Sequence, residues 1–202
     1  STRPGAEDIS SAEEAARIIP AIKSVIKHFP ETIISIDTFR AEIATEAVEA
    51  GAAILNDISG GQLDDEMVDT VARLKVPYII MHMKGTPATM NMLTNYENII
   101  TDISKYFSER VSLFRQKGIN DIIIDPGFGF GKTVDHNFEL LRRLGDFSIA
   151  RLPLMVGVSR KSMIWKTLKI SANEALNGTT ALNAIALANG ADILRVHDVK
   201  EA

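Results

Sequence analysis

The sequence predicts an α/β fold, a (β/α)8 TIM barrel of which about six of the eight strands are represented. Three observations lead there. Six short apolar runs, rich in β-branched residues, are spaced along the chain. Patterns of helical period lie between them. Every apolar run passes, at its C-terminal side, into a polar cluster.

The elements follow in order. Ser11 opens a helix with Glu13 and Glu14 in its first turn; Ala15, Ile18, Ile19, Ile22, Val25 and Ile26 recur at helical spacing, and Pro30 ends it. The first strand covers Ile33–Ile36 and leads into Asp37-Thr38. A helix over 40–50 closes at Gly51, and a strand over Ala52–Leu55 meets Asn56-Asp57. A helix over 65–74 precedes the strand Val76–Met81, which ends at His82. The long helix 96–117 stops at Gly118, before Ile122–Ile124 and Asp125. A helix over 136–144 closes at Gly145, and Leu154–Val158 runs into Ser159-Arg160-Lys161. The last helix, 173–189, ends at Gly190, and Ile193–Val196 carries Arg195 and leads to His197-Asp198.

Most of these runs are continuous rather than alternating, as in strands buried on both faces of a parallel sheet. Strands alternating with helices imply right-handed crossovers. A doubly wound sheet concentrates its site at one switch point, whereas a barrel gathers residues from many strand ends around one mouth. Polar clusters at all six strand ends favour the barrel. Residues 1–202 are expected to form one domain, with about one and a half further units before them and a last helix after them.

Composition narrows the function. The 202 residues are 46% hydrophobic and 24% charged, which suits one ordinary globular core. A formal net charge of −4 argues against a general nucleic-acid binder. The absence of cysteine excludes disulfides, thiol nucleophiles and thiolate metal sites. No apolar stretch approaches the length of about 18 residues that a membrane span needs, and a cytoplasmic address is expected. The four histidines lack paired metal-ligand spacing. His28 reads as a residue of a last helical turn, and His136 with Asn137 as the start of a helix. Gly131-Lys132-Thr133 suggests a phosphate loop, but Pro126 occupies the place of its first glycine and the match fails.

The densest signal is Asp125-Pro126-Gly127-Phe128-Gly129-Phe130-Gly131-Lys132. Glycines in a strand-ending loop let the backbone approach a flat ligand, and aromatic rings offer it apolar faces. Asp37, Asn56 and Asp125 are short polar side chains at three strand ends, suited to paired donors such as an amino group beside a ring N–H. Any one of them would serve equally as a helix cap; three on one rim, opposite that loop, point to a ligand. Lys161, Arg195, His197 and Arg3 form a cationic set centred on the last two strands, where barrels often bind phosphate. Arg160 reads as a solvated charge. His197 fits a structural hydrogen bonder as well as a ligand group, and Met81 a core filler as well as a soft contact to an aromatic ligand.

Seven segments then fall into register with one family. They are Ser-Thr-Arg-Pro-Gly at 1–5, Ser-Ile-Asp-Thr at 35–38, Asn-Asp-Ile-Ser-Gly-Gly at 56–61 and Met-His-Met-Lys-Gly-Thr-Pro at 81–87. The others are Asp-Pro-Gly-Phe-Gly-Phe-Gly-Lys at 125–132, Gly-Val-Ser-Arg-Lys-Ser at 157–162 and Arg-Val-His-Asp at 195–198. Together they resemble the dihydropteroate synthases, pterin-binding barrel enzymes of folate synthesis and the targets of sulfonamides.

The resemblance implies a transferase that joins 6-hydroxymethyl-7,8-dihydropterin diphosphate to p-aminobenzoate, releasing pyrophosphate. It implies that Asp37, Asn56, Met81, Asp125 and Lys161 hold the pterin, and that Arg3, Arg195 and His197 take the diphosphate. Thr2, Arg3, Pro4, Phe130, Lys161, Ser159 and Ser162 would shape the p-aminobenzoate side. Asp37, Lys161, Arg195 and His197 would carry catalysis. Mg²⁺ is the implied cofactor, its ligand lying in a first loop outside this chain, and a homodimer is the implied full-length assembly. Two other readings stay open: a corrinoid-dependent methyltetrahydrofolate methyltransferase domain, which has no diphosphate to release, and a non-catalytic pterin-binding remnant. A fused upstream enzyme of folate synthesis also stays open.

Overall fold

The structure is a computed structural model that describes residues 9–202. Seven α-helices and six strands alternate along it: α1 Ser11–His28, β1 Ser35–Asp37, α2 Ala41–Glu49, β2 Ile54–Asp57, α3 Met67–Leu74, β3 Tyr78–Met81, α4 Ile99–Gln116, β4 Ile122–Asp125, α5 Val134–Arg142, β5 Met155–Val156, α6 Ser162–Leu168, α7 Leu176–Ala188 and β6 Ile193–Leu194. All pairings are parallel. β1 to β4 lie side by side in chain order, and β5 pairs with β6. A single bridge between Ile124 and Leu154 joins the two groups, and the Ile124 N–H donates to Pro153 O at 3.0 Å. The six strands therefore form one curved, unclosed wall of a barrel, with helices on its outer side.

Local chemistry sets the helix ends. Ser10 caps α1 by accepting the Glu13 N–H at 3.2 Å, and Asn98 caps α4 through the Thr101 N–H at 3.1 Å. Thr133 and His136 form a reciprocal capping box, so α5 starts at Val134, ahead of the expected 136. α2 lacks a cap of its own; Asp64, from the loop after β2, accepts the Ala41 N–H at 2.7 Å instead. α1 runs through Pro20, which forfeits one backbone donor.

Two expectations need correction. Gly145 ends no helix, because it lies inside a 3₁₀ segment, Leu144–Ala150; Gly51, Gly118 and Gly190 do adopt positive φ at helix ends. The seven-residue α6 is not foreseen, since so short a stretch shows little periodicity beside the charged cluster that precedes it. Four of the strands, β1, β3, β5 and β6, are shorter than their apolar runs, and β5 retains only Met155–Val156.

Between sheet and helices lies a core containing Leu55, Ile80, Phe107, Phe114, Ile124, Leu140 and Phe147. One carboxylate is buried beside it. Asp57, at the end of β2, accepts from the Ser59 N–H, the Ser59 hydroxyl and the Gly61 N–H at 2.7 Å each, and from the Tyr78 hydroxyl at 2.6 Å. Burial raises its pKa, and the four donors oppose that shift. The result is a rigid β2–α3 loop, on which the rim depends. Among the described residues no helix is long and apolar enough to cross a membrane.

Tyr78→Phe removes one of those donors while keeping the ring. It should destabilise the fold by about 1–3 kcal/mol, read as a lower urea midpoint at unchanged slope.

Candidate active site

Parallel pairing brings the strand ends to one level. Asp37 stands opposite Asn56 in the β1–β2 register, and Met81 opposite Asp125 in the β3–β4 register. Over this rim opens a cavity of about 520 Å³ lined by Asp37, Asn56, Ile58, Met81, Asp125, Phe130, Gly157, Lys161, Arg195, Val196 and His197.

Its polar groups are linked. Asn56 Nδ2 donates to Asp37 Oδ1 at 2.7 Å, and Arg195 Nη2 donates to Asp37 Oδ2 at 2.6 Å. Asn56 Oδ1 is buried and has no partner among the described residues, which leaves an acceptor for a ligand. Asp125 is buried and accepts the Gly127 N–H at 2.7 Å. Burial raises its pKa; Lys161, that N–H, Lys132 and Arg195 all pull the other way. The Lys161 ammonium donates to Phe128 O and lies 5.0 Å from the centre of the Phe130 ring. Burial pushes Lys161 down to about 8, with Asp125 opposing and Arg195 adding to the shift.

The Gly-Phe loop has its own frame. Lys132 Nζ donates to Gly127 O at 2.9 Å, Phe130 O at 2.9 Å and His82 O at 3.2 Å, and lies 3.1 Å from His82 Nδ1. Burial pushes Lys132 down to about 7 and His82 down to about 2. His82 is therefore a neutral ring that accepts from Lys132. It packs edge-on against Tyr106 at 5.0 Å and does not line the cavity. Asn137, one turn into α5, accepts the Gly129 N–H at 2.8 Å and donates to Thr133 O at 2.6 Å.

Residues 1–197 match the pterin binding enzyme family.

The chain belongs to that family.

The dihydropteroate synthase of Escherichia coli (strain K12) is 42% identical over 203 residues, which span all of this chain and 71% of the relative. That of Synechocystis is 46% identical over 203 residues, covering 99% and 70%. Among solved structures, the Yersinia pestis dihydropteroate synthase in complex with a sulfonamide drug superposes with a TM-score of 0.95 at 39% identity, covering all of this chain and 73% of that one. The Thermus thermophilus enzyme in complex with 4-aminobenzoate gives a TM-score of 0.93 at 34% identity, covering 100% and 77%. The fold of these relatives is the barrel whose wall the six strands form.

The expected site residues of this pterin-binding chain divide into three groups. Asp37, Asn56, Met81, Asp125, Phe130, Lys161, Arg195 and His197 meet at the cavity. Ser159 and Ser162 do not line it: Ser159 is buried behind His197, with its hydroxyl 2.9 Å from Nδ1, and Ser162 opens α6. Thr2, Arg3 and Pro4 lie outside the described residues. Arg160 is no free solvated charge, because it forms a two-pronged ion pair with Asp198 at 2.9 and 2.5 Å. Lys132 and Asn137 are functional supports that spacing alone does not reveal. The only hint is a lysine directly after the last glycine of the loop.

Two glycines of that loop predict different costs. Both have positive φ, 72° at Gly127 and 82° at Gly129, so alanine is strained at either. A Cβ at Gly127 would also fall 2.2 Å from the carbonyl oxygen of His82, whereas at Gly129 it meets only the Lys161 side chain at 3.3 Å. Thermal unfolding should show Gly129→Ala losing about 1–2 kcal/mol and Gly127→Ala clearly more. Equal losses would remove the steric account.

Proposed function

We infer that this protein is a dihydropteroate synthase, condensing 6-hydroxymethyl-7,8-dihydropterin diphosphate with p-aminobenzoate to give 7,8-dihydropteroate and pyrophosphate. The observation that carries this reading is a single cavity lined by two sets of groups, the acceptors Asp37, Asn56 and Asp125 and the nitrogen-bearing Lys161, Arg195 and His197, with Arg195 paired to Asp37.

Each set suits one end of the first substrate. The amino-oxo edge of a pterin presents adjacent N–H donors, which match the Asp125 carboxylate and the unpartnered Asn56 Oδ1. Met81 supplies a polarizable contact to the ring, and the Lys161 ammonium a donor to its oxygen and nitrogen acceptors. The diphosphate belongs to Arg195 and His197. As the carbon–oxygen bond at the pterin methylene breaks, its electron pair departs with the diphosphate. The carbon left behind is electron-poor, and Asp37 would stabilise it electrostatically. The lone pair of the arylamine then forms the carbon–nitrogen bond, and the nitrogen loses a proton. Phe130, beneath the Lys161 ammonium, would form the wall against which the arylamine lies.

Among the described residues no three His, Asp or Glu side chains gather where a metal ion would sit. Mg²⁺ is commonly held by one or two side chains together with substrate phosphates, and no step here is routed through the ion.

Mixing the pterin diphosphate with p-aminobenzoate should release pyrophosphate in step with dihydropteroate; release that does not depend on the arylamine would refute the condensation. Asp125→Ala removes the paired acceptor and should weaken pterin binding about 100-fold, and an unchanged affinity by calorimetry would refute the role. The Lys161 charge is present below a pH of about 8 and lost above it. The pH profile of kcat/KM should therefore fall as pH rises through 8, by about tenfold per unit, with the fall displaced upward in Lys161→Arg.

A further inference from the structure

The loops after β5 and β6 are joined by a two-part clasp. Ser159, buried at the end of the β5 loop, accepts the backbone N–H of His197 at 3.2 Å and lies 2.9 Å from its Nδ1. One residue further along both loops, Arg160 grips Asp198 through Nε at 2.9 Å and Nη2 at 2.5 Å. The Asp198 carboxylate raises the pKa of Arg160 and the guanidinium lowers that of Asp198, as a mutual ion pair must. Arg160 itself is held by its neighbours. Its φ is 54°, and its N–H donates to Thr179 Oγ1, on α7, at 3.0 Å. The β5 loop is thus anchored to a helix independently of the clasp. The β6 loop is held at its start by the Arg195 N–H, which donates to Val156 O at 2.9 Å, and by the Arg195 guanidinium on Asp37; beyond that point Ser159 and Arg160 hold residues 197 and 198.

Of the four clasp residues, Ser159, Arg160, His197 and Asp198, His197 alone lines the cavity. We propose that Arg160 and Asp198 are positioning residues for anion binding, fixing the end of the β6 loop so that the His197 ring faces the diphosphate beside Arg195. This rests on the proposed function, because it assigns the anion to that segment. Two features carry it. The clasp is bidentate and so fixes direction as well as distance. It also acts on residues 197 and 198, beyond Arg195, whose own bond to Asp37 on β1 does not involve the clasp. Ser159 acts the same way, through His197, and this explains why a serine expected at the cavity lies behind it.

The consequence is a split between ligands. Calorimetry on the intact protein would titrate inorganic pyrophosphate and, separately, 6-hydroxymethylpterin, which lacks phosphate. Arg160→Met should weaken pyrophosphate at least fivefold and leave the pterin alcohol within twofold; Arg160→Lys should recover part of the loss. Asp198→Asn, which keeps shape and volume, should repeat the pattern, and the double variant should be no worse than either single one. Equal losses for both ligands, or pyrophosphate affinity unchanged in both single variants, would overturn the proposal. An unsubstituted protein that binds neither ligand would instead overturn the functional reading, and the clasp's role with it.

Discussion

In-register parallel pairing is the constraint on which the site depends. A parallel ladder advances neighbouring strands together, so strands that start at the same depth also end there. Asp37 thus meets Asn56, and Asp125 meets Met81, without either pair being adjacent in sequence. Because side chains alternate across a strand, a slip of one residue would turn Asp37 or Asp125 away from the rim. The apolar positions just below them, Ile36, Leu55, Ile80 and Ile124, are buried and resist that slip. Core packing and ligand geometry are one problem here.

The charged groups on that rim are costly to bury and are arranged to limit the cost. Asp125 lies among Lys161, Lys132 and Arg195; the carboxylate and the cations offset part of one another's desolvation, while the cations oppose each other. The two lysines have different surroundings. Lys132 gives its donors to the carbonyls of Gly127, Phe130 and His82, which serves the shape of the loop. Lys161 has one such carbonyl and faces the cavity, so its remaining donors are available to a ligand. A loop of glycines holds its form because a buried cation ties together the carbonyls that no strand partner reaches.

Much of this was legible in the residues alone, and for a stated reason. Continuous apolar runs reveal doubly buried strands, and a short polar side chain directly after such a run has nowhere to go but the rim. Asp37, Asn56 and Asp125 are of that kind, and Lys161 and Arg195 are longer cations just beyond or within the last two runs. What stayed hidden depends on loops folding back on one another. Lys132 looks like a failed phosphate loop until three carbonyls surround it. Arg160 looks solvated until Asp198, 38 positions later, comes alongside. Ser159 sits in the right segment, yet its hydroxyl is turned by His197 toward a neighbouring loop rather than toward the cavity. Asn137 and Asp57 similarly spend their side chains on backbone groups that only tertiary structure brings near.

The ion pair between Arg195 and Asp37 joins residues 158 positions apart, from the last described strand to the first. Contacts of such separation form late in folding, because chain closure must be met before they return any energy. A partly folded chain can hold a formed β1–β4 sheet and still lack Arg195 over Asp37. The cavity is therefore complete only when the final strand has docked, so its assembly marks the meeting of the first and last described strands rather than of sequence neighbours.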